Sequence, residues 1–182
     1  MQCRVFWLVV LLTACTPVPA PAAGAAPCVL LVDEATPAYC RPERIERDVL
    51  AALDWYRQQA QQIAATVSYP PAMLHEAGTY YDGPLLHETR EALYQQQQMG
   101  RVVYAEWDTL RVVAGPVWDD SGQTATIFVQ VSGYRQTTQP PRAATPQLPL
   151  AGSTTQDWRF TLRYDAAADR WKIWEAASLA PS

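Results

Sequence analysis

The chain has 182 residues, 49% of them apolar, with 14 Lys and Arg against 18 Asp and Glu for a net charge of −4. A single lysine (Lys172) and no basic cluster make nucleic acid an unsuitable partner, and the same balance argues against electrostatic docking on anionic headgroups.

Residues 1–14 read as a targeting segment, set aside from the fold. Arg4 supplies the positive start, and Val5 to Leu12 form an apolar stretch too short to span a bilayer. It closes on Leu12-Thr13-Ala14-Cys15, which resembles the lipobox of bacterial lipoproteins: an aliphatic residue, two small ones, then the cysteine that takes a diacylglycerol. The competing reading is an ordinary secretory signal cut after Ala14 or nearer Ala20 to Ala26. Cleavage before Cys15 leaves a net charge of −5, because Arg4 departs. Attachment then rests on acyl chains, of which two or more anchor stably.

Residues 15–27 run from Cys15 through a Pro/Ala-rich stretch that cannot build a core. As an extended tether its last twelve residues would reach roughly 35–40 Å. Cys28 and Cys40 survive signal removal as an even pair in an oxidising compartment and read as a disulfide closing a lead-in over 28–42. Such a loop is worth about 3 kcal/mol in the chain-entropy account. The alternative, a two-thiol metal or redox site, lacks both CxxC spacing and a neighbouring His.

Pro42 and Glu43 open a helix whose apolar positions Ile45, Val49, Ala52, Leu53, Tyr56, Ala60, Ile63 and Val67 recur at gaps of three and four. Gln58, Gln59, Gln61 and Gln62 are expected mostly on its solvated side. Tyr69-Pro70-Pro71 stops it. A second helix is expected from about Leu85 to Met99, with Leu86, Ala92 or Leu93, and Tyr94 inward, the run Gln95–Gln98 outward, and Gly100 as its stop.

After Gly100 the period changes to two. Strands are expected at Arg101–Ala114, Thr124–Arg135, Gln156–Asp165 and Arg170–Ala176, with a turn at Asp119–Gly122 and either a long loop or the ragged tip of an extended hairpin over 136–155. Trp158, Phe160, Leu162 and Tyr164 alternate with Arg159, Thr161 and Arg163, the pattern of half-buried antiparallel strands. The fold class is therefore α+β: a long helix and a second helix packed in a curved, mainly antiparallel sheet of four or more strands, cone-like, over 43–178.

This order, with Tyr80-Tyr81-Asp82-Gly83-x-Leu85 opening the second helix, Leu110–Val113 ahead of the turn, the Ala125–Val129 strand and Trp171-Lys172-Ile173-Trp174 at the end, resembles the nuclear-transport-factor-two-like superfamily. It is most similar to the extracytoplasmic branch, which includes the intermembrane-space domain of chloroplast-division proteins and domains of actinobacterial Mce-associated and conjugation proteins. Enzymes of that superfamily, of the ketosteroid isomerase and polyketide cyclase types, hold an Asp, His or Tyr inside the cone. The resemblance makes His75, Asp82 and His87 the candidate catalytic residues here. Against them, no Asp or His lies on the strand face expected to line the cone, and no metal-binding motif, phosphate loop or nucleophile elbow occurs. Trp107, Trp158, Phe160, Trp171 and Trp174 are expected either to fill the core or to line a ligand site.

The expectation is an extracytoplasmic module anchored to a bacterial membrane, without metal or cofactor, engaging a protein partner or an apolar ligand. The alternatives are a small-molecule enzyme and a carrier of hydrophobic ligands.

Overall fold

The computed structural model describes Cys28 and residues 37–66, 68–141 and 155–179. The expected signal segment, Cys15, the tether, most of the lead-in and Val67 lie outside the described residues, as do most of residues 136–155.

Among the described residues, three α-helices pack against six strands. Helix α1 spans Pro42–Thr66, α2 Met73–Glu76 and α3 Gly83–Met99. The strands are β1 (Val102–Glu106), β2 (Thr109–Trp118), β3 (Thr124–Ser132), β4 (Arg135–Gln139), β5 (Thr155–Asp165) and β6 (Arg170–Leu179). Strands β2-β3-β5-β6 form an antiparallel sheet in that order, and β1 pairs with β4 in a second, two-stranded sheet. The α+β cone expected from the pattern is the observed fold.

The core lies between α1 and the inward face of the four-stranded sheet. Ile45, Val49, Ala52 and Ile63 of α1 are fully buried, as are Ala125, Ile127, Val129, Leu162, Trp171 and Ile173. A buried Val, Leu or Ile side chain contributes about 1.5–3 kcal/mol relative to leaving it in water. Asp48, 3% exposed, is the buried acid of this face. It accepts from the Trp171 backbone N–H at 3.0 Å and from Arg44 Nε at 3.1 Å, which ties the helix to the start of β6.

The structure corrects the strand boundaries. The expected Arg101–Ala114 strand breaks at Trp107-Asp108, and the expected Thr124–Arg135 strand breaks opposite it at Gly133-Tyr134. Pairs Glu106–Arg135 and Thr109–Ser132 keep one constant offset across that break. Residues 102–139 are therefore a single long hairpin folded over at a corner, whose far end supplies β4 largely from sequence expected to be a loop or a ragged hairpin tip. Gly133 (φ +65°) makes the corner possible: a Cβ there would sit 2.5 Å from Asp108 Cγ. Arg135 holds Asp108 at 3.1 Å across the corner.

Two helix faces also differ from expectation. Gln59 is 6% exposed, and so is Gln96. Gln96 Oε1 accepts from the Val103 N–H at 2.8 Å and its Nε2 donates to Tyr56 Oη at 3.2 Å. Tyr94, expected inward, is 44% exposed; the inward residues of α3 are Thr89, Leu93 and Gln96. Helix α3 begins two residues earlier than expected. Asp82 caps it by accepting from the Gly83 N–H, and a Cβ at Gly83 would meet the Trp174 ring.

Candidate functional site, an apolar cavity in the cone

Between α1, α3 and the sheet lies an open cavity of about 340 Å³. Leu53 and Tyr56 of α1 form one wall, and Leu85, Glu88, Thr89 and Ala92 of α3 another. The strands of the two sheets contribute Ala105, Leu110, Val131, Trp158, Phe160, Ile173 and Ala176, while Trp107 and Tyr134 come from the hairpin corner. The alternation explains the strand contribution: inward positions meet the helices, and Arg159, Thr161 and Arg163 point the other way. The corner explains the rest, because folding the hairpin over carries Trp107 and Tyr134 to the same rim. Arg57 lies over the Trp107 ring at 5.1 Å, fixing it from the α1 side.

The five aromatics considered from sequence separate by position along their strands. Trp107, Trp158 and Phe160 line the cavity. Trp158 and Phe160 stack with ring centres 6.3 Å apart, forming a flat floor. Trp171 is 1% exposed and fills the core at the opposite end, its Nε1–H donating to the Tyr39 carbonyl at 2.7 Å. Trp174 lies outside the cavity, against Gly83 and under the Arg163 guanidinium at 3.4 Å.

His75, Asp82 and His87 do not meet in the cavity. His75 sits exposed on α2, His87 exposed on α3, and Asp82 serves as the α3 cap. Leu53, expected in the buried stripe, is half-buried and lines the cavity. Glu88 is the one carboxylate among the described lining residues, and it is exposed at the rim. The other polar groups are Thr89 and three tyrosines. Burial pushes the phenols of Tyr56, Tyr81 and Tyr134 above their ordinary value. The Tyr81 hydroxyl is already used, donating to the Ala52 carbonyl at 2.9 Å. Such a lining keeps its phenols neutral across the physiological range and offers a bound molecule contact area with few polar anchors. Among the described residues no cluster of three or more His, Cys, Asp or Glu is arranged to hold a metal ion.

Cys28 and Cys40 are joined, with Cα atoms 5.5 Å apart. The Cys28 N–H also donates to the Gly122 carbonyl at 2.7 Å, so the start of the folded part is fastened to the β2–β3 turn. No described helix is long and apolar enough to cross a membrane.

No protein-family profile matches the chain, and no curated protein matches it in sequence. In fold it is similar to the intermembrane space region of the chloroplast protein ARC6, with a TM-score of 0.54 and 14% identity, covering 75% of this chain and 97% of that one. A lower similarity links it to the periplasmic domain of DotI, at a TM-score of 0.41 and 14% identity, covering 72% of this chain and 95% of that one. CagV, a VirB8 homologue of Helicobacter pylori, follows at 0.37 and 9%, covering 75% of this chain and 100% of that one.

Proposed function

We propose that the chain is a non-catalytic, extracytoplasmic binding module of the nuclear-transport-factor-two-like superfamily, held to a bacterial membrane through a lipidated Cys15. Its cone receives an apolar group. The observation that carries this reading is the cavity: about 340 Å³, walled by aliphatic and aromatic side chains, with its one described carboxylate at the solvent-facing rim. An acid–base enzyme needs a proton donor or acceptor within hydrogen-bond reach of the reacting atoms. Here His75 and His87 lie on exposed helix surface, and the cavity phenols hold their protons. The extracytoplasmic address is supported by the lipobox-like segment and by the Cys28–Cys40 bridge, a bond that persists in oxidising compartments. The shared fold with an intermembrane space region agrees with it.

The test is binding of N-phenyl-1-naphthylamine, a neutral dye that brightens in apolar surroundings, to chain purified with Cys15→Ala. Saturable emission is expected, lost on Ala92→Trp, which pushes a bulky ring over the cavity from an exposed helical position, and retained in His75→Ala with His87→Ala. Emission that does not saturate, or that Ala92→Trp leaves intact, refutes the reading. For the anchor, an alkyne fatty acid should label the wild type in cells and leave Cys15→Ala unlabelled.

A further inference from the structure

We propose that the cavity selects by charge: it takes an apolar molecule carrying one cationic amine, with the apolar body inside and the ammonium at the Glu88 carboxylate. This rests on the reading of the cavity as a binding site and adds the sign of what that site receives.

The lining carries a single charge. Among the described lining residues Glu88 alone is charged, and it stands exposed at the rim, one turn of α3 from the cavity residues Leu85 and Ala92. It forms no ion pair with a described residue. The surroundings repeat its sign. At the hairpin corner, which brings Trp107 and Tyr134 to the rim, Arg135 stands against two carboxylates, Asp108 at 3.1 Å and Glu106 at 3.8 Å, so that cluster keeps a net negative charge. On the α1 side the guanidinium over Trp107 belongs to Arg57, whose charge is met by Asp54 at 2.7 Å. The arginines of β5, Arg159 and Arg163, lie on the opposite face of the sheet from Trp158 and Phe160. None of these four guanidiniums is left to receive an anion at the mouth.

An anionic head therefore has no favourable position. At the rim it meets Glu88. Inside, it gives up its hydration for a lining without a cation, a loss that a hydroxyl or two does not offset. The phenols have few hydrogens to offer: Tyr81 donates to the Ala52 carbonyl at 2.9 Å and Tyr134 to Gln136 Oε1 at 2.6 Å. Gln96 fixes the third. Its Oε1 accepts from the Val103 N–H, so its Nε2 is the group that donates to Tyr56 Oη, and one O–H of Tyr56 remains. An ammonium at the rim is placed the other way about. It keeps part of its water, faces a carboxylate and leaves its apolar body in the cavity. The floor made by Trp158 and Phe160, whose rings are inclined by 10°, suits a flat ring in that body. Because Glu88 is exposed, the preference is modest, roughly two- to fivefold.

The experiment measures displacement of N-phenyl-1-naphthylamine from chain carrying Cys15→Ala, at low ionic strength where screening is weak. The competitors share one ring: naphthylethylamine, naphthylethanol and naphthylacetate, which are cationic, neutral and anionic at about pH 7. The amine is expected to displace the dye at roughly two- to fivefold lower concentration than the alcohol, and the acid at higher concentration than either. Glu88→Gln should close the gap between amine and alcohol while leaving the alcohol unchanged. Glu46→Gln makes the same change in net charge on an exposed position of α1, seven residues or about 10 Å before Leu53, and should leave the gap intact. Equal displacement by all three, a gap that survives Glu88→Gln, or one that Glu46→Gln closes as well would overturn the proposal. So would amine binding that persists in Ala92→Trp, since it would then lie on the acidic surface outside the cavity. A chain that binds neither the dye nor any competitor removes the binding site and the proposal with it. A chain that binds all three alike keeps the site and removes its sign.

Discussion

Replacing Gly133 by Ala tests whether the hairpin corner is held as described. The residue sits at φ +65°, where a Cβ costs about 1–2 kcal/mol. The added methyl would also lie 2.5 Å from Asp108 Cγ, so the Asp108 side chain must swing out. Doing so breaks its 3.1 Å pair with Arg135, a partly exposed ion pair worth about 0–1 kcal/mol. The expected loss is about 2 kcal/mol, or roughly 4–8 °C in Tm for a chain of this size. Urea unfolding followed by far-UV circular dichroism should show a lower midpoint at unchanged slope. Asp108→Ala removes the clash, so the double variant should lose less than the sum of the singles by about 0.5 kcal/mol or more. A Gly133→Ala loss below about 0.5 kcal/mol, or strict additivity with Asp108→Ala, would show that the two chain breaks are not coupled.

Ile45→Ala should cost about 2–5 kcal/mol, since the side chain is 1% exposed, while exposed Gln61→Ala should change stability by less than about 0.5 kcal/mol. Equal effects in denaturant titrations would place the wrong face of α1 in the core. Tyr81→Phe bears on pH dependence. Burial raises the Tyr81 phenol, so the folded chain keeps a proton that the unfolded chain releases near pH 10. The stability gained is complete below that pH and is lost as pH rises beyond it; Tyr81→Phe should flatten the alkaline decline in Tm, and an unchanged slope would contradict the assignment. On the acid side, Lys172 bonds Asp165 at 2.7 Å and holds its carboxyl below the usual range. That contribution is present above about pH 4 and fades as pH falls, so Lys172→Met should reduce the acid sensitivity of Tm. Changing Cys28 and Cys40 together to Ala should cost about 3 kcal/mol, read as a Tm drop matched by reducing the wild type.

Much of this fold was legible in the sequence because its signals are periodic. The stripe from Ile45 to Ile63 gave α1, and the alternation around Phe160 and Leu162 gave β5 and its buried face. The corner was missed because β-rich sequence runs through it on both strands. Gly133 was the available clue, as an isolated glycine in a strand pattern marks a bend. Gln59 and Gln96 were unreadable for a different reason: nothing in the helix pattern tells a glutamine that solvates a surface from one buried in the fold, and for Gln96 the partners lie on other elements, Val103 on β1 and Tyr56 on α1. The cavity was half legible. Period two identified Trp158 and Phe160 as inward, but whether inward rings touch or leave a space depends on how far the helices stand off the sheet.

The Gln96 side chain has a further effect on how the protein meets copies of itself. Strand β1 pairs with β4 on one side, and on the other its backbone would present bare hydrogen-bonding groups. Gln96 occupies the Val103 N–H, and the Tyr69 hydroxyl donates to the Arg101 carbonyl at 2.6 Å just before the strand begins. Two side chains from helical and loop segments thus stand where a foreign strand would add. The four-stranded sheet has two edges: at β2, register shifts between Val112 and Val117 break the straight row of groups a neighbour would need, and at β6 the Ile173 N–H and carbonyl are taken by Tyr80 and Asp82 at 3.0 Å each. Chains held at high local concentration meet far more often than dilute ones. Blunted strand borders let them crowd without zipping into fibres.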